Sequence, residues 1–217
     1  MAAGDATLRV NEIFHSIQGE STRVGLPTTF IRLTGCPLRC VWCDTEYAFA
    51  GGDAMTVTGI LDRVEAIGCN IICVTGGEPL AQKPSLTLLT ALCDAGYSVS
   101  LETSGALDIA EVDERVSSIV DLKAPDSGES DRNLWSNLDH LTHSDELKLV
   151  LASEADYEWA KSAVVARHLA ERCPVTFSPV PGKLDPALLA EWILRDGLNV
   201  RLQMQLHKII WGEARGH

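Results

Sequence analysis

No stretch of this sequence stays apolar for the ~18 residues a membrane span requires, so no span is expected. The amino terminus, M-A-A-G-D-A-T-L-R, has no basic segment followed by an apolar one and does not read as an export signal. Basic residues are scarce. Eighteen Lys and Arg stand against 30 Asp and Glu, giving a formal net charge of −12 and a pI near 4.8. A surface of that sign repels DNA, RNA and anionic lipid. Nucleic acid and membrane are therefore not expected partners, and a small-molecule substrate fits better. Internal repeats, low-complexity tracts and long linkers are also missing, so residues 1–217 are expected to form a single domain. An even cysteine framework is absent too. There are seven cysteines, and with no export signal the expected location is a reducing cytoplasm, where clustered thiols read as metal or redox ligands. Hydrophobic residues make up 46% of the chain, enough to build a core without disulfide staples.

What is present is an alternation of strand and helix patterns. The strand candidates are T-T-F-I-R-L-T (28–34), N-I-I-C-V-T (70–75), S-V-S-L-E-T (98–103), S-I-V-D-L-K (118–123), L-K-L-V-L (147–151), V-T-F-S-P (175–179) and V-R-L-Q-M-Q (200–205). Helix candidates lie between them: one opening at Thr56 or Thr58 and ending before Gly68, one stopped by Gly96, one over 154–170, and one over 185–196 stopped by Gly197. Repeated strand-then-helix units predict a parallel sheet covered by helices. The chain is short for a full eight-fold barrel, which takes about 250 residues. The expected fold is α/β, an open, partial TIM-like barrel of the (β/α)6 type with six or seven units. The polar stretch 124–133 reads as one surface loop. Glycines and charges gather where the strands end, as in T-G-G-E-P, E-T-S-G, D-L-K-A-P and Q-L-H-K. In parallel α/β folds that edge holds the ligand.

Three cysteines fall within eight residues, Cys36, Cys40 and Cys43, in the pattern C-x3-C-x2-C. Structural zinc takes four ligands in paired sets, and no convenient fourth is near. Cys69 and Cys73 are four apart; on a strand that separates them by about 13 Å, so they read with Cys93 and Cys173 as small core residues. A cubane iron–sulfur cluster normally takes four thiolates. Three leave one iron open to bind a substrate or cofactor. A zinc-bound structural module is the non-enzymatic alternative.

The triad, with T-G-G-E-P at 75–79, resembles the radical S-adenosylmethionine (SAM) superfamily. In that superfamily a [4Fe-4S] cluster holds SAM at the open iron and splits it to give a 5′-deoxyadenosyl radical. Further pieces resemble the 7-carboxy-7-deazaguanine synthase family: N-E-I-F-H-S-I-Q-G-E-S (11–21), F-I-R-L-T-G-C-P-L-R-C-V-W-C-D-T (30–45), L-E-T-S-G (101–105), D-L-K-A-P (121–125) and Q-L-H-K (205–208). The resemblance implies conversion of 6-carboxy-5,6,7,8-tetrahydropterin to 7-carboxy-7-deazaguanine with loss of ammonia, in the queuosine pathway. It implies Mg²⁺ as a further cofactor, a flavodoxin-type or similar electron donor, and a homodimer. A glycyl-radical activating enzyme of the same superfamily is the alternative, although Q-G-E, C-D-T and Q-L-H-K are not expected together in that class.

Residue roles carry over from the resemblance. Cys36, Cys40 and Cys43 bind the cluster, and Thr45 binds magnesium, with a helix or turn cap as its alternative. Ile17, Gln18, Gly19, Glu20, Arg32, Thr75, Glu102, Gln205 and His207 contact the pterin. For Arg32 the alternative is an ion pair with a neighbouring Glu; for His207 it is an ordinary surface position. Trp42, Cys43, Asp44, Gly77, Glu78, Ser104, Asp121, Leu122 and Lys123 contact SAM, the first and third of these through backbone groups. The tail W-G-E-A-R-G-H runs past Ile210, so a contact from the terminal carboxylate is not assumed.

Overall fold

Side chains of a β-strand alternate between the two faces of the sheet, and here the two faces differ sharply in chemistry. Ile31 and Leu33, Ile72 and Val74, and Val99 and Leu101 point one way into an apolar cluster. Val120, Leu147, Leu149, Val175 and Phe177 do the same in a second cluster further along the sheet. Their strand neighbours on the opposite face include Arg32, Thr75, Glu102, Asp121, Lys148 and Ser178, which line a cavity. Helices therefore cover the apolar outside, and the polar inside is left for a ligand.

The computed structural model describes residues 6–212, 214 and 216. The strands are β1 (Thr7–Ile17), β2 (Pro27–Leu33), β3 (Asp53–Thr56), β4 (Ile71–Gly76), β5 (Ser98–Thr103), β6 (Ser117–Asp121), β7 (Glu146–Leu151), β8 (Val175–Pro179) and β9 (Arg201–Leu202). They form one sheet in the order β3-β1-β2-β4-β5-β6-β7-β8-β9. From β2 through β9 every pairing in that order is parallel. These parallel strands match the seven expected. The antiparallel strands β1 and β3 were not anticipated; they extend the β2 edge. The expected strand over 200–205 is cut to two residues, because Gln203 turns its amide onto the backbone of Ser21.

The helices are α1 (Val57–Ile67), α2 (Ser85–Asp94), α3 (Glu154–Ala166), α4 (Leu169–Arg172), α5 (Pro186–Asp196) and α6 (Leu206–Trp211). Thr56, Ser153 and Asp185 cap α1, α3 and α5 by accepting backbone N–H bonds with their side chains, each cap worth roughly 1 kcal/mol. Gly68 and Gly197 end α1 and α5 in the left-handed region, as the sequence pattern predicts. The single helix expected over 154–170 is instead two, broken where His168 adopts φ 52°. The helix α6 was not anticipated.

The β1–β2 connection closes the lower end of the barrel. Thr22 donates its N–H and hydroxyl to Glu146 at the start of β7. Arg23 donates to the carbonyls of Ser98 and Val99 at the start of β5. The cavity is therefore plugged at the strands' N-terminal ends and opens at their C-terminal ends, where the sequence concentrates its chemistry.

Candidate active site

The cysteine loop leaves β2 and crosses the top of the barrel. Cys36, Cys40 and Cys43 are unpaired and half-buried, and all three line the cavity. Cys43 N–H donates to the Cys40 carbonyl at 3.2 Å, and Leu38 N–H points at the Cys36 sulfur at 3.5 Å. The stretch 124–133 is not a free surface loop. Ser127 is fully buried and its carbonyl accepts from Val41 N–H at 3.0 Å, while the Glu129 carboxylate accepts from Arg39 N–H at 2.6 Å. It braces the cysteine loop from outside.

Among the described residues no three His, Cys, Asp or Glu side chains converge on one ion position. A cubane cluster asks each thiolate for a different iron, and the three cavity-lining cysteines of this loop offer three of its four ligands. Burial pushes all three thiols above their ordinary pKa, while the Lys123 ammonium draws each of them back. Lys123 itself is pulled down by burial, but Asp121, 2.9 Å away, and Cys40 outweigh this and hold it charged.

The glycines of T-G-G-E-P are there for close approach. Gly76 has φ 145°, and a Cβ on it would lie 2.2 Å from the Leu33 carbonyl oxygen. A Cβ on Gly77 would lie 2.3 Å from the Gly35 oxygen and 2.8 Å from Cys36 Cβ. The end of β4 thus presses directly on the root of the cysteine loop. Glu78 is buried and saturated: it accepts from the Thr103 and Ser104 hydroxyls, from Ser104 N–H at 2.7 Å and from Leu80 N–H at 2.9 Å. Its side chain is outside the cavity, as is that of Leu122, which packs in the apolar cluster. Any contact from these two expected SAM residues is confined to backbone atoms. Trp42, Asp44, Thr45, Gly77, Ser104, Asp121 and Lys123 do line the cavity. Thr45 makes no helix-capping bond; its hydroxyl donates to Asp44 at 2.9 Å.

The other half of the cavity is lined by Ile17, Gln18, Gly19, Glu20, Arg32, Thr75, Glu102, Gln205 and His207. Arg32 makes the anticipated structural ion pair, Nε to Glu12 Oε1 at 2.7 Å, yet still lines the cavity. Glu102 accepts from the Thr75 hydroxyl at 2.9 Å and from the Gln18 amide at 3.5 Å. His207 is not an ordinary surface residue: α6 folds it over Gly19, and Leu206 N–H donates to the Gly19 carbonyl at 3.0 Å. The same helix is tied down by Lys208, 2.9 Å from Asp44. Burial favours a neutral Asp44, but Lys208 outweighs it and holds the carboxyl well below its ordinary range.

Sequence reasoning missed several lining residues. Phe14 and Phe30 stack with centroids 4.9 Å apart, across the β1–β2 pair. Lys148 stands between Glu20 and Asp121, at 2.8 and 3.8 Å. Burial works against the charged forms of both Lys148 and Glu20, but their mutual attraction wins, raising the first and lowering the second. The available signal was in β7. A parallel strand covered on both faces must turn an alternating Lys into the barrel rather than to solvent. Asp121 Oδ1 and Ser178 Oγ are buried at the cavity wall and have no hydrogen-bond partner, so the wall asks a ligand for polar contacts.

Residues 30–127 match the family model of the radical SAM superfamily. The 7-carboxy-7-deazaguanine synthase of Chlorobaculum tepidum is 49% identical over 98% of both chains. That of Koribacter versatilis is 42% identical over 94% of this chain and 97% of its own. The crystal structure of QueE from Escherichia coli superposes with a TM-score of 0.79 at 24% identity, covering 94% of this chain and 96% of that one. The fold, the cysteine loop over the barrel mouth and near-complete coverage at 49% identity agree: this chain belongs to the 7-carboxy-7-deazaguanine synthase family of radical SAM enzymes.

Proposed function

We propose that the chain converts 6-carboxy-5,6,7,8-tetrahydropterin to 7-carboxy-7-deazaguanine and ammonia, with both ligands in the cavity that the cysteine loop lines. The observation that carries this reading is the placement of Arg32, Glu102 and Thr75 in the same cavity as the three cysteines. When bound, the cluster and SAM supply a 5′-deoxyadenosyl radical that removes hydrogen from C6 of the pterin. The fit is supported by three cavity-facing thiols, by the glycine cradle at Gly76 and Gly77, and by the unpartnered oxygen of Asp121, which suits a ribose hydroxyl.

The chain's own residues bind, orient and shield. Arg32 gives its Nε to Glu12, and its terminal nitrogens are left to grip the substrate carboxylate in the forked geometry guanidinium favours. Glu102, Gln18 and Glu20 offer acceptors and an amide to the 2-amino-4-oxo edge of the pterin. His207 and Gln205, on the Q-L-H-K segment, close over it. Lys208 on Asp44 holds that segment against the cysteine loop and keeps water out. The Thr45 hydroxyl is a hard oxygen ligand of the kind Mg²⁺ accepts alongside substrate oxygens. A homodimer, a flavodoxin-type electron donor and a cytoplasmic location complete the reading. No helix among the described residues is long and apolar enough to cross a membrane.

The test is anaerobic. The protein is reconstituted with iron and sulfide, reduced, and given SAM, Mg²⁺ and the tetrahydropterin, with products followed by mass spectrometry. SAM-dependent appearance of 7-carboxy-7-deazaguanine is expected. SAM cleavage with the pterin untouched would show that the substrate is another one.

A further inference from the structure

Lys148 sits where the two halves of the cavity meet. It projects inward from β7, and its side chain is 16% exposed. The two carboxylates it approaches come from different parts of the fold. Glu20 follows β1, beside the residues assigned to the pterin, and Asp121 ends β6, among those assigned to SAM. One oxygen of each faces the ammonium, Glu20 Oε2 at 2.8 Å and Asp121 Oδ2 at 3.8 Å. The remaining oxygens have different fates. Glu20 Oε1 accepts from the Gln205 amide at 2.7 Å, whereas Asp121 Oδ1 is buried with no partner.

An ammonium is a compact charge with three donors. Set between two carboxylates on separate segments, it fixes the distance between them. A shift of either carboxylate by a ligand is then felt by the other through the shared cation. Neutralisation alone does not require this position: Lys123 already pairs with Asp121 at 2.9 Å. What Lys148 adds is the connection to Glu20.

We propose that Lys148 is a positioning residue that holds Glu20 at the pterin and Asp121 at the ribose of SAM in one frame, so that the two ligands bind interdependently. This inference rests on the functional reading above and names the residue that joins its two subsites.

The test is equilibrium binding of 6-carboxypterin, the oxidised and unreactive relative of the substrate, read by its own fluorescence. It is measured on the reconstituted protein with and without SAM. In the wild type, SAM tightens pterin binding about tenfold, within the usual range of coupling between sites. In Lys148→Gln the tightening disappears, and in turnover the ratio of SAM cleaved to product formed rises. Lys148→Arg, which keeps the charge but not the compact ammonium, retains about threefold tightening. If Lys148→Gln does not fold, the arginine variant carries the test, and an undiminished tenfold effect there overturns the proposal. Tightening in Lys148→Gln equal to that of the wild type overturns it as well. A wild type that binds both ligands without coupling overturns this inference alone. A wild type that binds SAM but not the pterin overturns the functional reading and this inference with it.

Discussion

A Cβ placed on Gly19 would lie 2.0 Å from Nδ1 of His207, and 2.9 Å from that residue's backbone nitrogen. The glycine is what lets α6 lie against the β1–β2 connection. Gly19→Ala therefore pushes His207 and the Q-L-H-K segment off the cavity. The displacement is of the order of an ångström, and misplacement on that scale costs roughly 10²-fold in rate. The expected outcome is a ~10²-fold drop in kcat/KM for the pterin with a melting temperature near that of the wild type, checked by steady-state kinetics and calorimetry. Unchanged kinetics would remove His207 from the site.

Arg32 pairs with Glu12 through Nε and also lines the cavity. Arg32→Lys keeps a cation but loses the fork. The expectation is a fall in kcat/KM of about 10²-fold, the scale of a truncated buried charge pair, carried mainly by KM for the pterin. SAM affinity should stay within about twofold, since Arg32 is assigned no contact with it. Equal loss for both ligands would place Arg32 in a structural role.

The Glu20–Lys148 pair gives a signed pH dependence. Glu20 is held below its ordinary value of 4.5, so its contribution is present above that pH and is lost as pH falls through the depressed folded value. Lys148 is held above its ordinary 10.5, so its contribution is present below that pH and is lost as pH rises through the raised folded value. The pair therefore stabilises the fold between about pH 4.5 and 10.5. Glu20→Gln should cost about 3 kcal/mol at pH 7, with the difference from wild type shrinking in stronger acid. Urea unfolding of the metal-free protein across pH checks this. A difference that is flat down to pH 2 would mean the pair is not formed.

Burial separates five of the seven cysteines into two groups; Cys69 and Cys93, expected in the core, are instead only partly buried and belong to neither. Cys36, Cys40 and Cys43 are half-buried at the cavity. Cys73 and Cys173 are buried, the thiol of Cys173 is pushed up to about 12, and that of Cys73 is raised well above its ordinary range, in both cases chiefly by burial. Iodoacetamide at pH 8 should label the triad in the folded apoprotein while sparing Cys73 and Cys173. Loading the cluster should protect the triad, and peptide mass mapping reads both states. Labelling of Cys73 without denaturant would contradict the buried assignment.

Much of this was legible in the sequence because the chemistry is local. The cysteine triad, T-G-G-E-P and D-L-K-A-P are contiguous, each at a strand end, and their strands carry plain apolar runs. What was not legible depends on which side of the sheet a residue faces. In L-K-L-V-L a period of two is equally consistent with a lysine in solvent and a lysine inside a barrel. Only the parallel pairing of β7 with β6 and β8 decides it. Glu78 shows the converse. It sits in the glycine-rich motif, yet its carboxylate turns away from the cavity to saturate the donors of Thr103, Ser104 and Leu80. The sequence of β1 carries a motif that hides its strand pattern, and the break at His168 is a backbone conformation that no side-chain pattern announces. Residues 213, 215 and 217 of the W-G-E-A-R-G-H tail lie outside the described residues.

The proposed function requires one cavity to bring the adenosyl group of SAM within reach of C6 of the pterin. The most direct measurement uses tetrahydropterin deuterated at C6. After anaerobic turnover, 5′-deoxyadenosine and recovered SAM are analysed by mass spectrometry. Deuterium is expected in one or both, with its appearance slowed in Gly19→Ala and Arg32→Lys. Formation of 7-carboxy-7-deazaguanine with no deuterium in either would contradict it.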